Sequence, residues 1–172
     1  MHVLISAASK HGATAEIAEA IGTTLKSSGL TASVVDPNDV EDLGAYQAFV
    51  LGSAVYAGRW QKSARLFVDR HAAELCKHPV WLFSSGPIGD PPAPTADPVD
   101  VSEIMQETGA RAHRLLAGRL DQSRLSFGER AIVAALRAEY GDFRDWREID
   151  AWASEIARDL TSQSLPETHT VS

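Results

Sequence analysis

Cysteine is almost missing from this 172-residue chain, with Cys76 the single example. One thiol excludes an internal disulfide and removes Cys-based zinc and iron–sulfur sites from consideration. Cys76 ends an apolar-periodic segment and is expected to be a packed structural thiol, because free Cys usually behaves as a small hydrophobe. Long apolar runs are missing too: none reaches the ~18–20 residues of a membrane-spanning helix. The N-terminus enters a strand-like run with no signal-peptide layout, so a cytoplasmic protein is expected. Positive charge is in the minority, with 16 Lys and Arg against 23 Asp and Glu and a formal net charge of -7. Without a Lys/Arg stripe, nucleic acid is excluded as a partner and a polybasic membrane-surface role is weakened. His2, His71, His78, His113 and His169 are scattered without metal-ligand spacing, so no metal is expected. No Gly-x-Ser-x-Gly elbow is present, so no Ser/His/Asp triad can be argued.

What is present reads as one domain over 1–162 and a polar tail over 163–172. Hydrophobic residues make up 44% and charged residues 23%, an ordinary globular composition. Val3-Leu4-Ile5 is a short apolar run, as in a strand covered on both faces. Ala15 to Leu25 follows with apolar residues at helical spacing, and Gly29 is a plausible terminator. Ala32 to Val35 predicts a second strand, ended by the turn residues Asp36-Pro37-Asn38. A short helix is expected before the third strand, Ala48 to Leu51. Lys62 to Leu75 predicts a helix, with His71 as a packing residue, and Pro79 to Phe83 a fourth strand. The alternation predicts a parallel doubly wound α/β sheet with right-handed crossovers.

Five of the eight prolines fall between Pro87 and Pro98. Regular structure is excluded over most of 87–100, leaving either an excursion beside a functional site or a plain connection. Val101 to Arg111 predicts a helix and His113 to Leu120 a weak fifth strand. Ser126 and Glu129 form a capping box for a further helix. Asp145 is expected to cap a last helix, beside an Arg144–carboxylate pair. That helix carries Trp146, Ile149, Trp152, Ala153, Ile156 and Leu160 on one stripe, which fits either core closure or a homodimer face.

In an open parallel sheet, ligands bind outside the carboxyl ends of the strands. Three Gly/Ser/Ala-rich loops should converge there. Ser9-Lys10-His11-Gly12-Ala13-Thr14 precedes the first helix. Its amides and the Ser9 and Thr14 hydroxyls suit an anion, and Gly12 permits close approach. Lys10 adds charge or is simply a solvated cation. The pattern is neither Gly-x-Gly-x-x-Gly nor Walker A, which favours a phosphomonoester over a pyrophosphate or triphosphate. A Ser/Thr-capped helix start without any ligand also fits these residues. The second loop contains Ser53, Ala54, Val55, Tyr56, Ala57, Gly58 and Trp60. Tyr56 and Trp60 offer flat faces for a ring to stack on, or else ordinary packing. The third loop, Ser84-Ser85-Gly86-Pro87, offers hydroxyls and amides. No catalytic side chain is singled out.

These stretches, together with Gly-Asp-Phe-Arg-Asp-Trp-Arg-Glu-Ile-Asp-Ala-Trp-Ala at 141–153, resemble the flavodoxin-like family. Within it, the likeness is to the branch of menaquinone-dependent protoporphyrinogen dehydrogenases, and it extends to about residue 160. The first loop corresponds to the family's Ser/Thr-x-Thr-Gly-x-Thr phosphate motif. His11 stands where Thr is usual, and Ala13 where Asn or Ser is common. Each change removes a side-chain contact and leaves the backbone amides in place. The resemblance implies a five-stranded flavodoxin-like fold with FMN held noncovalently by the three loops. It further implies an oxidoreductase acting on a quinone or a tetrapyrrole such as protoporphyrinogen IX, hence haem biosynthesis. The alternatives are a non-enzymatic flavodoxin-type electron carrier and a deazaflavin-binding or flavin-free regulatory module.

Overall fold

The computed structural model describes residues 1–86, 98–135 and 137–163. Pro87, most of the Pro-rich stretch and the tail from 164 lie outside the described residues. In chain order the elements are β1 (His2–Ala8), α1 (Ala13–Ser27), β2 (Thr31–Val34), β3 (Ala48–Tyr56), β4 (Arg59–Trp60), α2 (Lys62–Leu75) and β5 (Val80–Ser85). Then come α3 (Val101–Thr108), β6 (Ala112–Leu116), β7 (Arg119–Leu120), α4 (Phe127–Ala135), β8 (Gly141–Asp142) and α5 (Trp146–Ser162).

Five parallel strands stand in the order β2-β1-β3-β5-β6, and β4 folds back antiparallel on the end of β3. The continuous apolar runs are the central strands, as a sheet covered on both faces requires. Alternate side chains of β1 serve two cores. Val3, Ile5 and Ala7 pack with Ile17, Ile21, Trp152 and Ile156 of α1 and α5. Leu4 and Ala8 pack with Phe67 and Val68 of α2 and Ile104 of α3. Gly52 is fixed by close packing: a Cβ there would lie 2.3 Å from the Phe83 ring. The α5 stripe therefore closes the core. Trp152 is buried, while Trp146 at its start is half exposed under the Arg144 guanidinium, 4.5 Å from the ring centroid.

Four local expectations need correction. Between β2 and β3 there is no helix. The Asp36 carboxylate instead accepts from the Asn38 amide at 2.9 Å, and Val40 and Leu43 turn inward from an irregular segment. The helix α3 stops at Thr108, because Gly109 takes a left-handed conformation with φ 63°. The fifth strand ends at Leu116 rather than Leu120. Gly118 packs against the Gly86 backbone, where a Cβ would come within 3.2 Å of its nitrogen, and the chain leaves the sheet. Arg119 and Leu120 pair instead with Asp142 and Gly141 in a separate ribbon. Cys76 is exposed, since α2 ends at Leu75 and the thiol falls outside the packed face. His71 is half-buried, its ring 4.8 Å from that of Phe67.

Candidate functional site

The carboxyl ends of β1, β3 and β5 open into one cavity of about 760 Å³. From the first loop it is lined by Ser9, Lys10, His11, Ala13 and Thr14. Gly12 has φ 87°, a conformation costly for any residue with a Cβ, and its amide donates to Ser9 Oγ at 3.0 Å. No side chain caps α1. The first turn of that helix therefore points amides towards the cavity without a side-chain acceptor, and the helix dipole adds partial positive charge.

From the second loop the cavity takes Ala54, Val55, Tyr56 and Ala57. Ala57 (φ 50°) and Gly58 (φ 72°) form the two-residue turn from β3 into β4, and two positive φ values are what a tight hairpin of this twist requires. Tyr56 is half exposed, and burial of its phenol raises its pKa. Lys10 Nζ sits 4.9 Å above its ring. Ser53 and Trp60, by contrast, are interior. Ser53 Oγ accepts the Gln61 amide at 2.8 Å. The Trp60 indole N–H donates to Ser84 Oγ at 2.7 Å, and its backbone amide donates to the buried Asp100 carboxylate. Gly58 presents its carbonyl to the Val99 amide at 2.9 Å.

From the third loop, Ser85 and Gly86 line the cavity. Ser84 does not: it is buried between Trp60 and His113 Nε2, the latter at 2.8 Å. The Gly86 amide is committed to the Leu116 carbonyl.

A fourth wall, which no local sequence pattern marks, is built by residues of 118–133 and 137–139. It brings Leu120, Leu125, Ile132 and Val133, with Arg119, Arg124 and Arg137 beside Asp121, Glu129 and Glu139. Arg124 Nη1 donates to the His11 carbonyl at 2.8 Å, and Arg119 reaches the same oxygen at 3.5 Å. Arg119 also donates to Glu16, and so does Arg144, at 2.6 Å. Arg144 forms the expected bidentate pair with Asp142, and Asp145 caps α5 by accepting the Arg147 and Glu148 amides. The Arg144 guanidinium holds Glu16 and Asp142 below the usual carboxylate range.

The Ser126–Glu129 capping box forms as expected. Glu129 Oε2 accepts the Ser126 amide at 2.8 Å, and Ser126 Oγ accepts the Glu129 amide at 3.3 Å. The second carboxylate oxygen reaches across the cavity. Glu129 Oε1 accepts from Lys10 Nζ and lies 3.0 Å from His11 Nε2. The Lys10 ammonium, then the Ser126 amide and His11, hold the Glu129 carboxyl far below its ordinary value. Nothing in the local sequence could reveal this contact, because its partners stand 119 and 118 positions apart.

A strand order of 2-1-3-4-5 among the parallel strands, with a cavity at their carboxyl ends, defines the doubly wound class that binds ligands at a topological switch point. The chain belongs to the flavodoxin domain family, whose model matches residues 4–146. It is similar to the protoporphyrinogen IX dehydrogenase [quinone] of Escherichia coli strain K12, at 23% identity over 91% of this chain and 95% of that protein. Among solved structures it is similar to a flavodoxin from the domain Archaea (TM-score 0.65, 19% identity, 94% of this chain and 99% of that one). A mutant flavodoxin from Pseudomonas aeruginosa matches with TM-score 0.64 and 19% identity, over the same shares of the two chains. Among the described residues, no helix is long and apolar enough to cross a membrane, and no group of acidic, His or Cys side chains could hold a metal ion.

Proposed function

We propose that this protein is an FMN-dependent oxidoreductase that moves electrons or hydride between a small donor and a quinone-like acceptor. The observation that carries the reading is the single cavity at the ends of β1, β3 and β5. Its volume, about 760 Å³, lies in the range of cofactor sites. The fit to a phosphorylated flavin rests on three features. The start of α1 has no side-chain cap and so keeps amides for a phosphate. Lys10 and Arg124 bring countercharge to that loop. Tyr56 gives a half-exposed ring at the end of β3.

In this reading Ser9 to Thr14 hold the phosphate, and Ala54 to Gly58 with Ser85 and Gly86 border the ring and its chain. Ser53, Trp60 and Ser84 support these loops from behind. Bound there, FMN supplies the redox chemistry, and the protein orients it and excludes water. The chain contributes an apolar wall, Leu120, Leu125, Ile132 and Val133, interrupted by charges of both signs, Arg119, Arg124 and Arg137 with Asp121, Glu129 and Glu139. The apolar part of the wall suits a largely apolar substrate, and protoporphyrinogen is the substrate named for the E. coli relative. The wall favours an enzyme over a bare electron carrier, which needs no substrate wall.

The test is an absorption spectrum of the purified protein and an FMN titration of the stripped protein, followed by turnover with protoporphyrinogen and menadione. A yellow protein that oxidises protoporphyrinogen with menadione as acceptor is expected. Failure to take up FMN overturns the cofactor. Uptake without turnover overturns the enzyme and leaves the carrier.

A further inference from the structure

We infer that Glu129 is a built-in counter-ion of the phosphate loop, which the cofactor's phosphate must displace, so that filling the loop loosens the seat of α4. The inference rests on the reading of Ser9 to Thr14 as a phosphate loop.

The geometry is that of a carboxylate standing where an anion is wanted. Glu129 Oε1 accepts from the Lys10 ammonium and lies 3.0 Å from His11 Nε2, so it engages two polar side chains of the loop, while Arg124 donates to the His11 carbonyl. The Glu129 side chain is only 16% exposed. A phosphate dianion brought against the α1 amides would sit beside this carboxylate. Two anions sharing one set of donors repel each other, and the more highly charged group takes the donors. Lys10 and His11 then turn from Glu129 to the phosphate.

Glu129 cannot move independently of α4. Its other oxygen caps the Ser126 amide, and its own amide is held by Ser126 Oγ. Among the described residues this helix is held only shallowly: none of its residues is buried, and Phe127 and Ile132 are largely exposed. The contacts of Glu129 with Lys10 and His11 are thus the principal tie between α4 and the loop. Releasing them frees the helix whose Ile132 and Val133 line the cavity. The phosphate half of the ligand would thereby set the mobility of the wall against which a substrate packs.

Riboflavin, which lacks the phosphate, is the control. Glu129→Gln keeps an oxygen to cap Ser126 but removes the charge. Dissociation constants for FMN and riboflavin are measured on wild type, Glu129→Gln and Lys10→Met by flavin fluorescence. Glu129→Gln is expected to raise the FMN-over-riboflavin preference roughly three- to tenfold and Lys10→Met to lower it by a similar factor. Hydrogen exchange on wild type should find the α4 amides less protected with FMN than with riboflavin. A preference unchanged or lowered in Glu129→Gln overturns the inference, and so does equal protection of α4 with the two flavins. Wild-type protein that binds neither flavin overturns the phosphate-loop reading itself, and the inference with it.

Discussion

Trp60 and Ser84 are joined inside the protein, indole N–H to hydroxyl at 2.7 Å, at the point where the ends of β3–β4 and β5 meet behind the cavity. The bond turns an aromatic residue that reads as a stacking platform into a brace. Trp60→Phe removes the donor and leaves Ser84 its contact with His113. The expected cost is about 1–2 kcal/mol in urea unfolding, with FMN affinity within twofold of wild type. A large affinity loss at unchanged stability would return Trp60 to the ring.

Tyr56 is the aromatic that remains at the cavity. Tyr56→Leu is expected to weaken FMN binding by about three- to tenfold, the worth of an aromatic contact beyond burial. A titration giving the wild-type dissociation constant would remove Tyr56 from the site.

Gly52 lies under the Phe83 ring with no room for a methyl group. Gly52→Ala should destabilise the fold by about 1–3 kcal/mol, the usual consequence of overpacking. Gly52→Ala combined with Phe83→Leu should recover part of the loss. Additive costs in the double variant would show that the two sites do not compete for the same space.

Glu16 is expected to shape the acid limb of stability. Arg144 holds its carboxyl below the ordinary 4.5, so the carboxylate stabilises the native state above that value and loses its contribution as pH falls towards the folded-state value. Thermal midpoints of wild type should decline from about pH 4.5 downward, and those of Glu16→Gln should decline less steeply. Because Glu16 is 46% exposed, the difference is modest and shrinks in salt. Parallel curves for the two proteins would show that Arg144 draws no net stability from Glu16.

Local signals carried much of the architecture. Apolar runs, the Ser126–Glu129 box and the Asp145 cap are short-range physics, and they stand where the spacing puts them. The limits also have causes. Gly118 could be read as a weak residue inside a strand. Only its packing on Gly86 makes it the end of one, and that contact belongs to the tertiary fold. Tyr56 and Trp60 are alike in sequence terms. A two-residue turn at Ala57–Gly58 places them on opposite strands of a hairpin, one at the cavity and one in the core. The arginines of the fourth wall were hidden for the same reason. Arg119, Arg124 and Arg137 are scattered in a chain of net charge -7, and folding collects them at one cavity.

The reach of Glu129 to Lys10 has a consequence in time. A chain leaving the ribosome exposes Ser9 to Thr14 when most of the sheet is still unmade, and the strand pairings that shape the site arrive one by one. The wall that faces the loop is synthesised more than a hundred residues later. Contacts of such sequence separation close late, after the loop entropy between them has been overcome. Completion of the cavity is therefore a late event in the folding of this protein.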